Sequence, residues 1–272
     1  MGKDYTDDMI TSSANQQMKH LSQLMKRAKE RKKEQVFVVE GIKMFQEAPA
    51  DTVLSVYVSE SFLEKPEHEK CLQGYRYEVV SDAVFREISD TQTPQGILAI
   101  VRMPKYDLPD LLQGDHTHLL ILESVQDPGN LGTMVRTGEG AGITGIIMNK
   151  TTVDLFNPKT IRSTMGSIYR VPYLITEHLP DLLDELHKEN IRLYAAHLKG
   201  DTYYDAFDFT GACGFLIGNE GNGLSDEIAE CADCYLKIPM EGKVESLNAA
   251  VSAALLMYEC KRQRGEHNEN MV

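Results

Sequence analysis

The sequence has no apolar run near the roughly 18 residues that a membrane-crossing helix needs. Its opening, MGKDYTDDMITSSANQQ, lacks the apolar stretch of a secretory leader. Both absences lead us to expect a soluble cytoplasmic protein. Cysteines are few and odd in number: Cys71, Cys213, Cys231, Cys234 and Cys260. Such a scattered set argues against a disulfide framework. Cys231 and Cys234 form a CxxC, but no second CxxC and no His pair at finger spacing completes a four-ligand zinc site. They are read as ordinary thiols near a helix-to-strand turn, and no metal is expected. Positive charge is also scarce. Lys and Arg number 28 against 41 Asp and Glu, a net charge of -13. A basic surface is the usual signature of a nucleic-acid binder, and the total lacks it.

What remains is a 272-residue chain with 42% hydrophobic residues, enough for one large domain or two ordinary ones. Its charge is uneven. Lys19, Lys26, Arg27, Lys29, Arg31, Lys32 and Lys33 crowd one short stretch in which Glu30 is the single acid. The patch is either a solvated helix face or a contact to a phosphate backbone.

The periodicity predicts two halves. Residues 15–102 alternate helix and strand: a helix over 15–31, strands at 36–40, 53–59, 75–80 and 96–102, and short helices after Gly41 and Ser81. Residues 1–14 and 265–272 read as tails. MPKYDLPDLLQGDH (103–116) carries Pro104, Pro109 and Gly114 with little periodicity and reads as a linker. Residues 117–264 then repeat strand and helix, which implies a mainly parallel sheet covered on both faces. In the last helix Leu247, Val251, Ala254, Leu255 and Tyr258 recur at helical spacing and are expected to form its buried face.

Ligands of open α/β sheets sit at the carboxyl ends of strands. Three polar loops occupy such ends. In ESVQDPGNLGTMVRTGEGAG (123–142) a turn leads to Asn130, a possible helix cap, and then to Arg136. In FLIGNEGNGLS (215–225) Gly218, Gly221 and Gly223 surround Glu220. The spacing is neither the GxGxxG of dinucleotide binders nor a P-loop. In IPMEGKVESLNAAVSAA (238–254) Ser246 can cap a helix starting near Leu247, with Asn248 in its first turn. Each loop alone is as well explained by structure as by chemistry.

Together, their order, spacing and identity resemble the SpoU/TrmH family of SPOUT RNA ribose methyltransferases. NLGTMVR is similar to N-x-G-x-x-x-R, IGNEGNGL to G-x-E-x-x-G, and IPMEGKVESLN to I-P-M-x-G-x-x-x-S-L-N. RSTMGSIYRVP (162–172) resembles a further family segment. The resemblance covers residues 118–262 strongly. More loosely, VFVVEGIKMFQEA and TPQGILAIV resemble the family's L7Ae/L30e-like substrate-binding extension.

The resemblance implies an α/β fold with a small L7Ae/L30e-like N-terminal domain (15–102) for RNA and a trefoil-knotted methyltransferase domain (117–264). It implies S-adenosylmethionine as cofactor, RNA as partner, a homodimer that completes the site, and methylation of a ribose 2′-OH. Arg136 is the implied catalytic residue. Asn130, Ser246 and Asn248 are expected to orient the ribose and the arginine, and Glu220 to fix its loop or pair with Arg136. The cofactor is expected on Gly218, Ile238 and Leu247, with Leu216 and Met240 beside them. Lys26, Arg27, Arg31, Lys32, Arg162 and Ser163 are the expected RNA contacts. The extra N-terminal domain favours ribosomal RNA of the large subunit. Transfer RNA, or a non-catalytic RNA-binding protein of the same fold, is the alternative.

Overall fold

Five consecutive buried residues, Val36–Glu40, show how the first sheet is held: it has a covered face on either side. The computed structural model describes residues 9–243 and 246–265. Residues 1–8, 244–245 and 266–272 lie outside the described residues, and with them Glu245 and most of the two expected tails. The chain divides into two compact units. The first runs to Pro104 and also takes in Asp154–Tyr169; the second comprises Lys105–Val153 and the chain from Arg170.

In the first unit the helices α1 (Gln16–Lys26), α2 (Ala28–Glu34), α3 (Ile42–Glu47), α4 (Pro66–Cys71) and α5 (Asp82–Ile88) surround a four-stranded sheet. Its strands are β1 (Val36–Glu40), β2 (Val53–Ser59), β3 (Glu78–Val80) and β4 (Ile97–Arg102), in the order β1-β4-β2-β3. Only β2 and β3 pair in parallel. Met18, Leu21, Leu24 and Met25 of α1 pack with Val36, Val38, Tyr57, Leu98 and Ile100 of the sheet. On the other face the ring of Phe37 lies 4.9 Å from that of Phe156. Phe156 belongs to the segment Asp154–Tyr169, which carries a further helix at Pro158–Thr164. Sequence order placed that segment in the second half; the fold packs it into the first unit. Ile10, expected in a tail, is buried and bridges to Val80.

The helix expected over 15–31 is broken. Arg27 is extended, with φ -124° and ψ 109°, and separates α1 from α2. The break lets Arg31 turn back on α1. Its Nη1 donates to the open carbonyls of Leu24 and Met25, 2.5 and 3.1 Å away. Helix carboxyl ends leave such carbonyls unsatisfied. The same guanidinium forms an ion pair with Asp154. Arg31 is only 3% exposed, so the expectation that it binds RNA is corrected: its charge is spent inside the unit. Lys26, Arg27 and Lys32 remain exposed.

In the second unit a short helix, α6 (Leu108–Leu111), precedes β5 (His118–Leu122), α7 (Pro128–Ala141) and β6 (Gly145–Asn149). The helix at Pro158–Thr164, in chain order α8, intervenes before β7 (Tyr173–Thr176), α9 (Leu179–Lys188), β8 (Arg192–Ala196) and β9 (Thr202–Tyr203). Then come β10 (Cys213–Ile217), α10 (Asp226–Glu230), β11 (Cys234–Lys237) and α11 (Ala249–Gln263). All pairings in the order β7-β6-β5-β10-β8-β11-β9 are parallel. From β5 the chain moves to one side of the sheet, and from β10 to the other. The crevice where the order reverses therefore lies between the carboxyl ends of β5 and β10.

The stretch expected as a linker is structured in its middle. Asp107 and Asp110 form a capping box for α6, and Leu111 is fully buried. A Cβ at Gly145 would stand 2.3 Å from Leu111 Cγ, so this helix sits hard against β6. The last helix also differs from expectation. Its buried residues are Ala249, Ala250, Ala253, Leu256, Met257 and Cys260. Val251 and Tyr258 stay exposed at 47% and 44%. Two apolar stripes run along α11, and the alanine-rich one packs inward because small side chains admit close approach to α7. Arg264 secures the end of this helix by donating to the carbonyls of His116, Thr117, Phe209 and Gly211. Cys231 ends α10 and Cys234 opens β11, both as free thiols.

Breaking a buried ion pair by removing one partner costs about 3–5 kcal/mol, because the other charge is left unpaired. Arg31→Ala is therefore expected to destabilise the first unit by about 3 kcal/mol in urea unfolding. Lys32→Ala should stay within about 0.5 kcal/mol of the parent, as surface substitutions do.

Candidate active site

The three polar loops meet at the carboxyl ends of β5, β10 and β11. Each opens or braces an element. After β5, Asp127 is the cap of α7: its Oδ1 accepts from Asn130 N at 2.8 Å. Asn130 was expected to cap the helix; instead it stands in the first turn, which frees its side chain to face other loops. After β11, Asn248 is the cap of α11, with Oδ1 accepting from Ala250 N and Val251 N at 2.8 and 3.3 Å. The helix begins at Ala249, so Ser246 lies outside it and is exposed.

A chain of side-chain hydrogen bonds joins these positions. Glu220 Oε1 accepts from Asn130 Nδ2 at 3.0 Å, and Asn130 Oδ1 accepts from Asn248 Nδ2 at 3.0 Å. The chemistry leaves one consistent orientation for both amides. A carboxylate only accepts, so Asn130 must turn its NH2 to Glu220 and its carbonyl to Asn248. Asn248 must then turn its NH2 to Asn130 and its carbonyl to the helix N–H groups. Glu220 also accepts from the backbone N–H groups of Gln126 and Asp127, at 2.9 and 3.0 Å. Partial burial pushes its pKa up, but the hydrogen bonds from Asp127 N, Gln126 N and Asn130 outweigh it and hold the carboxyl below its ordinary range. Glu220 is thus a loop anchor and not a poised base, and it makes no ion pair with Arg136.

Arg136 lies six residues along α7 from Asn130, about 9 Å up the axis and about 120° around it. It is exposed, and among the described residues it has no hydrogen-bond or ion-pair partner. The structure does not bring it to the amide chain within one copy.

Behind the chain is a cavity of about 250 Å³. Gly218, Glu220, Ile238, Met240, Ser246 and Leu247, six of the expected residues, line it. Gly218 must be glycine: a Cβ there would stand 2.1 Å from the carbonyl carbon of Gly223 and 2.2 Å from Leu224 N. The loop doubles back on itself that tightly, with Gly223 at φ +71° and Asn219 Oδ1 bracing it through the N–H groups of Gly221 and Asn222. Leu216 is corrected. It is fully buried among Leu193, Leu224 and Ile228, and its side chain faces the core. The fit to an adenosyl cofactor rests on the lining: half-buried Ile238 and Leu247 offer apolar walls, and the glycine loop offers main-chain polar groups.

Arg162 and Ser163 belong to the first unit. Arg162 donates to Asp90 at 2.7 Å, and Ser163 Oγ donates to Lys159 O at 3.0 Å, so both are partly committed within their own unit. Among the described residues no cluster of three His, Cys, Asp or Glu is placed to hold a metal. Sequence reasoning missed Asp127, Asn219 and Glu123. Asn219 Nδ2 donates to Ser124 O at 2.9 Å, and Glu123 accepts from Ser225 N and Oγ at 2.8 and 2.7 Å. All three tie the β5 loop to itself or to the β10 loop. Their signal was position alone, at strand ends or in the turns that follow them.

Residues 117–258 match the SpoU rRNA methylase family, and residues 15–99 match an MRM3-like substrate-binding domain. The chain belongs to the SpoU rRNA methylase family. It is 34% identical to the 23S rRNA (guanosine(2553)-2′-O)-methyltransferase RlmP of Bacillus subtilis, over 93% of this chain and 98% of that protein. It is 35% identical to the 23S rRNA (guanosine-2′-O-)-methyltransferase RlmB of Xylella fastidiosa, over 61% of this chain and 68% of that one. Among solved structures, the SpoU methyltransferase AviRb of Streptomyces viridochromogenes in complex with AdoMet is similar with a TM-score of 0.84 and 26% identity, covering 93% of this chain and all (100%) of that one. The AdoMet-bound rRNA methyltransferase of Sinorhizobium meliloti follows at 0.80 and 28%, over 93% and 97%. The fold accords with the family: an N-terminal substrate-binding unit and an all-parallel sheet of the kind typical of SPOUT knot methyltransferases.

Glu220 makes its contribution only as a carboxylate. Because its native pKa is lowered, the contribution is complete above the ordinary glutamate range, near 4.3, and is lost as pH falls through the native value. Glu220→Gln should cost on the order of 1 kcal/mol at pH 7, a modest figure for a solvent-screened group. Urea midpoints measured from pH 7 to pH 3 should converge for parent and variant at the acid end.

Proposed function

We propose that this SpoU-family methyltransferase modifies a ribose 2′-OH in 23S ribosomal RNA and works as a homodimer. Its class is that of S-adenosylmethionine-dependent RNA (ribose-2′-O)-methyltransferases. The observation that carries the reading is the Glu220–Asn130–Asn248 chain, which couples all three motif loops beside one cavity. The choice of 23S rRNA is supported by the near full-length similarity to RlmP, which extends through the substrate-binding unit.

When bound, S-adenosylmethionine supplies a methyl group on a sulfonium, already a good leaving group. The residues must align the ribose oxygen in line with that methyl and manage the hydroxyl proton. Alignment alone is worth about 7 kcal/mol or more. Asn130 and Asn248, locked by their neighbours, present a fixed polar edge for this. Arg136 carries a guanidinium that stays charged in proteins, so it does not serve as the base. Its role is to bind a phosphate beside the target ribose and to stabilise the charge developing on the 2′ oxygen, whose proton, acidified as the oxygen is methylated, passes to solvent water. Lys26, Arg27 and Lys32 of the first unit add exposed positive charge for the RNA backbone.

Two features support the dimer. Val251, Ala254, Leu255 and Tyr258 of α11 form an apolar groove with Thr133 and Thr137 of α7, continuous with Asn130 and Asn248. Arg136, unpartnered in one copy, is free to act in the site of another. A two-fold contact along this groove would place one copy's surface beside the other's amide chain.

Methyl-labelled S-adenosylmethionine offered with unmodified 23S rRNA should leave label at one alkali-resistant position. Arg136→Ala should lower kcat about 10²–10³-fold, as loss of a charge-stabilising donor does. Label in tRNA alone would redirect the substrate, and cofactor binding without transfer to either RNA would leave a binding protein. In a separate measurement, Val251→Glu with Tyr258→Glu should turn a dimer into a monomer in sedimentation velocity. A parent that sediments as a monomer would defeat the dimer.

A further inference from the structure

The cavity beside Gly218 has a wall that none of the three motif loops supplies. His197 and Leu198 follow β8 at its carboxyl end and line the cavity with Ile238 and Leu247. The ladder between β8 and β11 pairs Leu236 with Ala196, and His197 N extends it by donating to Leu236 O at 3.1 Å. His197 therefore stands across from Lys237 and next to Ile238.

Its ring is held on two sides. It stacks on Tyr235, with centroids 5.0 Å apart and planes at 28°. Its Nδ1 accepts from Lys199 N at 3.1 Å. A neutral imidazole whose Nδ1 accepts must carry its proton on Nε2. Among the described residues no group accepts from that Nε2–H. A donor held on two sides and without an acceptor thus belongs to a residue of the cavity wall, where Leu198, Ile238, Met240 and Leu247 are apolar and Lys237, Ser246 and Ser252 polar. A site that bonds a ligand oxygen or nitrogen uses such a group: a polar side chain held in place by its own neighbours beside an apolar wall.

We infer that His197 binds the nucleoside half of the cofactor, donating from Nε2 to a ribose hydroxyl or a base nitrogen. The inference rests on the reading that this cavity holds S-adenosylmethionine. The nucleoside half is favoured because His197 adjoins Ile238, an apolar wall suited to a flat base. The tautomer requirement adds specificity: a donor-only group selects acceptors on the ligand.

Two variants and two ligands test this. His197→Phe keeps an aromatic ring to stack on Tyr235 but removes the Nε2 donor, together with the acceptor of the exposed Lys199 N–H. His197→Gln keeps an amide donor of similar reach. Dissociation constants for S-adenosylmethionine and for 5′-methylthioadenosine, which lacks the amino-acid part, would be measured by calorimetry. His197→Phe should weaken both about tenfold, the scale of one lost hydrogen bond. His197→Gln should stay within about threefold of the parent. For His197→Phe, kcat at saturating cofactor and the melting temperature should be unchanged, so that the defect is confined to KM for the cofactor. Parent-like binding of both ligands by His197→Phe would overturn the inference while leaving the cofactor site intact. A loss confined to S-adenosylmethionine would overturn it too, by assigning the bond to the amino-acid half. A parent that binds neither ligand would defeat the reading of the cavity itself.

Discussion

The hydrogen-bond chain from Glu220 through Asn130 to Asn248 is the constraint on which the site depends. It is short, yet it spans loops that lie 90 and 118 residues apart in sequence. Every member is also a local anchor. Glu220 takes the N–H groups of the β5 loop, Asn130 opens α7 beside the Asp127 cap, and Asn248 caps α11. A shift in any one loop therefore breaks backbone bonds as well as side-chain bonds. Polar networks of this kind are costly when half made and rigid when complete. The result is a preorganised edge at the sheet crevice, which is what an alignment-driven methyl transfer requires.

The same economy explains the first unit's basic stretch. Seven cations in a row of fifteen residues would repel one another on a continuous helix. The break at Arg27 redirects one of them inward, where Arg31 closes the end of α1 and meets Asp154. What remains outside is a smaller set of exposed lysines and arginines on a chain with a net charge of -13. Steering of RNA then depends on where charge is placed, with the overall total acidic.

Much of the fold could be read in advance. Strands β1, β2, β4, β5, β8 and β10 announced themselves as apolar runs, and the alternation with helices implied the parallel sheet. The motif loops were also legible, but only together: each alone is an ordinary turn or cap, and their order and spacing carried the resemblance. The legible part failed where two answers had the same local pattern. Helix α11 carries two apolar stripes, and the one with the larger side chains looked like the core. Packing chose the alanines: Ala249, Ala250 and Ala253 are buried with Leu256 and Met257, and Val251 and Tyr258 are left exposed. Caps were misplaced by two or three residues for a similar reason: Asp127, Asn130, Ser246 and Asn248 all have capping side chains, and the first orphan N–H groups decide among them.

The sequence by itself determined the element types, the strand-end position of the chemistry and the family, because periodicity and motif spacing are local properties. Tertiary structure decided which polar groups are available. Arg31 and Leu216 carry the right chemistry but are consumed by packing, Arg136 is left free, and His197 becomes a cavity wall only through the β8–β11 ladder. Availability depends on long-range contacts, and no local pattern encodes which distant neighbour will claim a side chain.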